Sequence, residues 1–134
     1  MVETRKFTQN TIAIVYDFDG TLSPQPMQEY TVLPEIGISA KDFWKEVGKE
    51  TKSSESEAML VYMRLLIEKT EEKKRHLGRK ELAEIASGVK YFQGVETWFK
   101  RINEYVKAQG NNKTKVEHYI ISAGMKEILD GVTI

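Results

Sequence analysis

The chain has 134 residues, no cysteine, and 20 basic against 20 acidic side chains, so its formal net charge is zero. That length supports one domain with a moderate core; the missing thiols exclude disulfides, thiolate catalysis and cysteine-bound zinc, and the cancelling charge leaves no global field to recruit nucleic acid. The longest apolar stretch, Ala58 to Ile67, is short for a spanning helix and contains Arg64, and the polar start Glu3 to Asn10 lacks a secretory pattern, so no membrane partner is expected and the cytoplasm is the default compartment.

The first element is the run Ile12-Ala13-Ile14-Val15-Tyr16, apolar at every position. Such a run predicts a parallel strand covered on both faces, and in open α/β sheets ligands collect beyond the carboxyl ends of such strands. Asp17-Phe18-Asp19-Gly20-Thr21-Leu22 follows directly. Two carboxylates one residue apart at a strand mouth point to phosphoryl chemistry. Gly20 lets the backbone turn sharply and approach a ligand, while Thr21 brings a hydroxyl and a backbone donor. A solvated acidic turn would account for Asp and Gly here, but not for this order behind five apolar positions.

About a hundred residues separate this strand from the next, against about thirty for a simple crossover, so an inserted helical module is expected. Ser23-Pro24-Gln25-Pro26 leads into it, with Met27 and Tyr30 close enough to the first loop to reach a ligand. Ser39 with Asp42 reads as a capping box before Ala40, Phe43, Trp44 and Val47, a pattern that weakens at Gly48. Ser54 with Glu57 repeats the signature before Ala58 to Ile67, whose apolar residues surround the helix and predict a central position, with Gly78 as its end. A third helix is expected over Arg79 to Ser87, facing inward with Leu82, Ile85 and Ala86 and stopping at Gly88. Val95, Trp98, Phe99, Ile102, Tyr105 and Val106 mark a longer amphipathic helix to Ala108, ended by Gly110-Asn111-Asn112.

Val116 to Ile121 then reads as a second strand closing on Ser122-Ala123-Gly124, with Met125 to Leu129 opening a helix; Ser122 is placed to donate to a phosphoryl oxygen. Blander readings fit the remaining features. Glu68 to Arg75 is a solvated helix end, His76 and His118 lack a second ligand at metal-binding spacing, and Trp44, Trp98, Met59 and Met63 sit in core stripes.

The segment Asp17 to Leu22 behind its strand resembles the first motif of the haloacid dehalogenase-like hydrolase superfamily at every position, and Ile120 to Gly124 resembles the second, a hydrophobic strand closing on Ser or Thr. The resemblance implies an α/β fold, a partial Rossmann-like parallel sheet formed by residues 1–23 and 89–134, with a helical cap over 24–88 entered through Ser23 to Pro26. It implies that the carboxylate matching Asp17 attacks phosphorus to give an aspartyl-phosphate, while the one matching Asp19 protonates the leaving oxygen and then activates water. It implies Mg2+, held by an Asp17 oxygen and the Asp19 carbonyl, to offset the negative charge. Gly20, Thr21, Ser122 and Ala123 would then bind the phosphate of a small phosphorylated metabolite. An acid at position 19 favours a phosphatase or phosphomutase over a dehalogenase, which has no poor leaving group to protonate.

The family's third motif supplies a Lys or Arg and its fourth supplies acidic metal ligands, and only Asp130 to Ile134 follow the second motif's helix. Lys126 and Asp130 lie on or beside that helix and read as solvated charges. The chain alone is therefore expected to lack competence, and the neighbouring strands that the resemblance implies would leave an uncovered apolar sheet edge. Self-association or a further segment would complete it. The alternative is a non-catalytic relative that binds phosphate or associates with itself.

Overall fold

The computed structural model describes residues 10–134 and is a mixed α/β structure, mostly helical, with one two-stranded parallel sheet. Of the polar start Glu3 to Asn10, all but Asn10 lies outside the described residues. Strand β1 (Thr11–Tyr16) pairs with β2 (Lys115–Ile120), from Thr11 opposite Lys115 to Tyr16 opposite Ile120. Between them run α1 (Met27–Tyr30), α2 (Val32–Ile36), α3 (Ala40–Ser54), α4 (Ala58–Glu72), α5 (Arg79–Ile85) with a 3-10 turn at Ala86–Gly88, and α6 (Val95–Gln109); α7 (Lys126–Asp130) follows β2. Among the described residues, no helix is long and apolar enough to cross a membrane.

Side chains alternate across a strand, so this register puts Ile12, Ile14, Tyr16, Val116, His118 and Ile120 on one face. Helix α6 covers it. The Phe99 ring stands edge-on to Tyr16 and His118, with centroids 5.5 and 5.0 Å away. Trp98 Nε1 donates to the Tyr16 hydroxyl at 2.8 Å. Because an indole can only donate, the Tyr16 hydrogen is left for His118 Nδ1 at 3.0 Å, and His118 Nε2 donates to Asn103 Oδ1 at 3.1 Å. Packing therefore accounts for His118, as the sequence indicated.

The opposite face carries Ala13 and Val15 beside Lys115, Glu117 and Tyr119, and it is open. Val15 is 54% exposed, Tyr119 50%, and Ile121, just past the strand, 70%. The expected burial of the first strand on both faces is thus not found, because among the described residues only α6 lies against the sheet. An all-apolar run shows what a strand can bury, and not what covers it.

The buried core lies among the helices instead. Phe18 and Leu22 from the first loop meet Met27, Leu33, Phe43, Leu65 and Leu82, and Ile128 of α7 joins the same cluster. Helix α3 begins as expected, with Ser39 Oγ accepting from the Asp42 amide at 3.1 Å, but it continues past Gly48 to Ser54. The second capping box is not formed: Ser54 ends α3 and donates to the Glu50 carbonyl, and Glu57 precedes α4 without a side-chain cap. Helix α4 is not central either, since Met59, Leu60 and Ile67 are exposed, and it ends at Glu72, leaving Gly78 to precede α5. Helices α1 and α2 have no counterpart in the sequence reading. Each is shorter than two turns, too short to display a 3.6-residue period.

Candidate active site

Asp17 follows the last residue of β1, and its Oδ1 accepts from the Phe18 amide at 2.9 Å. Phe18 is fully buried and pins the loop to the core. Its carbonyl accepts from the amides of Thr21, Leu22 and Ser23 at 3.2, 2.9 and 3.0 Å, and the Gly20 amide donates to the Ser23 carbonyl at 2.7 Å. That closure requires φ of +80° at Gly20, the left-handed region where a side chain is strained. The loop thus holds two carboxylates on a turn two residues wide. It also corrects one expectation: the Thr21 amide is consumed within the turn, as is that of Gly20. The Thr21 side chain borders a depression shared with Tyr16, Trp98 and Arg101.

Asp17 is exposed and Asp19 half-buried, and this makes the pair unequal. Asp19 Oδ1 accepts from the Met27 amide at 2.9 Å. Burial holds the Asp19 carboxyl above the ordinary carboxylate range; the Met27 hydrogen bond opposes this, and the negative charges of Asp17 and Glu29 add to it. Asp19 therefore retains a proton more readily than an ordinary carboxylate, the property a general acid needs.

The parallel register brings the second turn to the same end of the sheet. The Ile121 amide donates to the Tyr16 carbonyl at 2.8 Å, and Ser122 follows directly. Ser122 Oγ accepts from the Gly124 amide at 2.9 Å, which leaves its hydrogen free to donate. This is a local turn and not a helix cap, because α7 is only five residues long and is preceded by Met125. Two side chains tie the turns together. Met27, whose amide holds Asp19, receives the Met125 amide on its sulfur at 3.3 Å. Tyr62 of α4 donates to the Ala123 carbonyl at 2.7 Å.

Tyr62 falls within the Ala58 to Ile67 stretch that the sequence marks only as a central helix. It is buried, but its phenol faces the site: burial first, then the negative charge of Asp19, push its pKa up, with the Gln28 amide opposing. Gln28 is 2% exposed and its Oε1 has no protein partner. Neither residue lies in a sequence motif; the one signal was a tyrosine in a stretch otherwise apolar but for Arg64.

Among the described residues, no three His, Cys, Asp or Glu side chains converge as a metal site. The oxygen donors at the strand end are the Asp17 carboxylate and the backbone carbonyl of Asp19, both hard ligands of the kind magnesium takes.

No family model and no solved structure matches the chain. The chain is similar to a protein of Borreliella burgdorferi (strain ATCC 35210 / DSM 4680 / CIP 102532 / B31) named only as uncharacterized, at 29% identity over 133 residues. The match covers 94% of this chain and 46% of that protein, so the chain spans about half the length of the curated relative it matches.

Proposed function

We propose that this chain carries the nucleophile, the general acid and the cap of a magnesium-dependent phosphatase with a haloacid dehalogenase-like core, acting on a small phosphorylated metabolite. The reading rests chiefly on one observation, the unequal pair formed by exposed Asp17 and half-buried Asp19 on a single tight loop at the carboxyl end of a parallel strand.

In the proposed reaction an Asp17 carboxylate oxygen attacks phosphorus in line, the bond to the leaving oxygen breaks, and Asp19 gives that oxygen its proton. Asp19, now a carboxylate, takes a proton from water as the water attacks the aspartyl-phosphate, releasing phosphate and restoring both side chains. Ser122 donates its hydroxyl to a phosphoryl oxygen, and Tyr62 holds the second turn through Ala123. Magnesium, when bound by Asp17 and the Asp19 carbonyl, offsets the charge of a dianionic substrate. A cation of protein origin and further acidic ligands are required beside these, and we assign them to additional polypeptide of the kind that the longer relative has room for. In a catalytically competent form of the protein, beryllofluoride with Mg2+ tests the nucleophile directly: a fluorine resonance of the bound trifluoroberyllate should appear and vanish in Asp17→Asn. Its persistence in that variant would overturn the assignment.

The open face of the sheet favours a second reading, a non-catalytic relative whose sheet is completed by another copy. Val15 and Tyr119 would then lie in an interface, and sedimentation should show a dimer that Val15→Lys dissolves, with no beryllofluoride signal.

A further inference from the structure

Helix α4 has two apolar sides. One, with Val61, Leu65 and Leu66, is buried in the core. The other, with Met59, Met63 and Ile67 at spacings of four residues, faces outward, and Ile67 is 60% exposed. A helix with one job would carry polar residues there.

This outer side forms one wall of a trough. A cavity of about 420 Å³ lies between Met63, Leu66 and Ile67 on one side and Gly124 and Met125 on the other. A second, of about 220 Å³, shares Leu66, Ile67 and Met125 and continues toward Leu77 and Leu82. Together they make a largely apolar trough in the size range of small-ligand sites, with Thr70, Glu71, Glu127 and the Asp130-paired Lys126 also on its lining. One end begins at Gly124, whose amide is bonded to Ser122 Oγ at 2.9 Å. The rim there carries Lys126. The methionines that line it are unbranched and polarizable, suited to apolar bodies of variable shape.

We propose that the trough takes the apolar body of the substrate, so that the phosphorylated metabolite is the monoester of an aliphatic or aromatic alcohol and not of a sugar or small polar acid. The inference rests on the phosphatase reading, because the phosphate end is taken to lie on the Ser122 turn. It follows from continuity: the residue that closes the phosphate-binding turn, Gly124, also opens the apolar channel.

The test is a series of n-alkylphosphonates, from methyl to octyl and below their micellar range, titrated calorimetrically into a catalytically competent form of the protein with Mg2+ present. Burying each methylene is worth about 0.8 kcal/mol, so affinity should rise about threefold to fourfold per carbon until the channel is full. Ile67→Gln and Met63→Gln, both at the trough wall, should flatten that rise while leaving methylphosphonate binding unchanged. Methylphosphonate binding that Ser122→Ala weakens, with no dependence on chain length, would overturn the trough assignment and leave the phosphatase reading standing. Equal binding of alkyl alcohols lacking the phosphonate, or a dimer in sedimentation that Ile67→Gln dissolves, would overturn it by giving the trough another occupant. Failure of every phosphonate, methylphosphonate included, would overturn both readings.

Discussion

The Tyr62 hydroxyl, at the middle of α4, donates to the backbone carbonyl of Ala123 at 2.7 Å, joining the inserted helices to the turn that follows the second strand. The Tyr62 ring also stands edge-on to Trp44, with centroids 5.9 Å apart. Tyr62→Phe keeps the ring packing and deletes only the bond. A single neutral hydrogen bond contributes about 0.5–1.5 kcal/mol net, so a melting temperature lower by about 2–5 °C is expected in calorimetry. An unchanged melting temperature would mean that water replaces the phenol without loss.

Asp19 gives a pH signature of the opposite sign to that of a salt-bridged carboxylate. Burial raises its pKa in the folded chain, so between the ordinary carboxylate range and the raised folded value the native state binds the proton more tightly than the unfolded one. Its contribution to stability is therefore most favourable at acid pH and declines as pH rises through that window. Asp19→Asn keeps an oxygen for the Met27 amide and removes the titration. Urea unfolding across a pH series should show the variant gaining on the parent from about pH 4 upward, since that is where free aspartate ionises. A gain in the acid direction instead would refute the burial argument.

The proposed division of labour between Asp17 and Asp19 separates two substrates. An alkyl phosphate needs its leaving oxygen protonated, whereas a p-nitrophenyl phosphate expels a stable phenolate. In a catalytically competent form of the protein, Asp19→Asn should slow first-turnover release of the alcohol from an alkyl phosphate by about 10²–10⁴, the usual worth of a general acid, and slow first-turnover release of p-nitrophenolate much less. Asp17→Asn should abolish both. Equal losses on the two substrates in Asp19→Asn would remove the acid role.

Two glycines mark where the helices close on the strand ends. A Cβ on Gly131 would lie 2.2 Å from the Ala83 carbonyl oxygen, so Gly131→Ala must push α7 away from α5, at about 1–3 kcal/mol or more. A Cβ on Gly124 would lie 2.2 Å from Met27 Cε, the flexible end of a side chain that can swing aside. Gly124→Ala should accordingly cost less in denaturant unfolding than Gly131→Ala. The reverse order would show that the Met27 sulfur contact is stiffer than its chemistry implies.

What the sequence disclosed follows from the range over which each signal acts. The strand before Asp17, the Gly20 turn, the Ser39 cap and the helix from Val95 are set by neighbours a few residues away, and all four are found. Ser54 and Glu57 carried the same local signature, yet α3 ran through the first of them, and the Ser54 hydroxyl donates back to the Glu50 carbonyl of its own helix instead of capping the next. The sulfur contact of Met27 and the role of Tyr62 were illegible, since their partners Met125 and Ala123 lie 98 and 61 residues away. The open face of the sheet was illegible for a related reason: Val15 reads as a core residue, and no local pattern says whether anything lies opposite it.

The two strands become neighbours only after the whole helical segment between them has been made, and this has a temporal consequence. At ribosomal rates of about 5–20 residues per second, the loop bearing Asp17 emerges several seconds before Ser122 exists. During that interval β1 is an unpaired ribbon of six residues with no charge of its own. The nascent chain carries this apolar segment until synthesis delivers β2, and α7, made later still, brings Ile128 to the core after the strands have met.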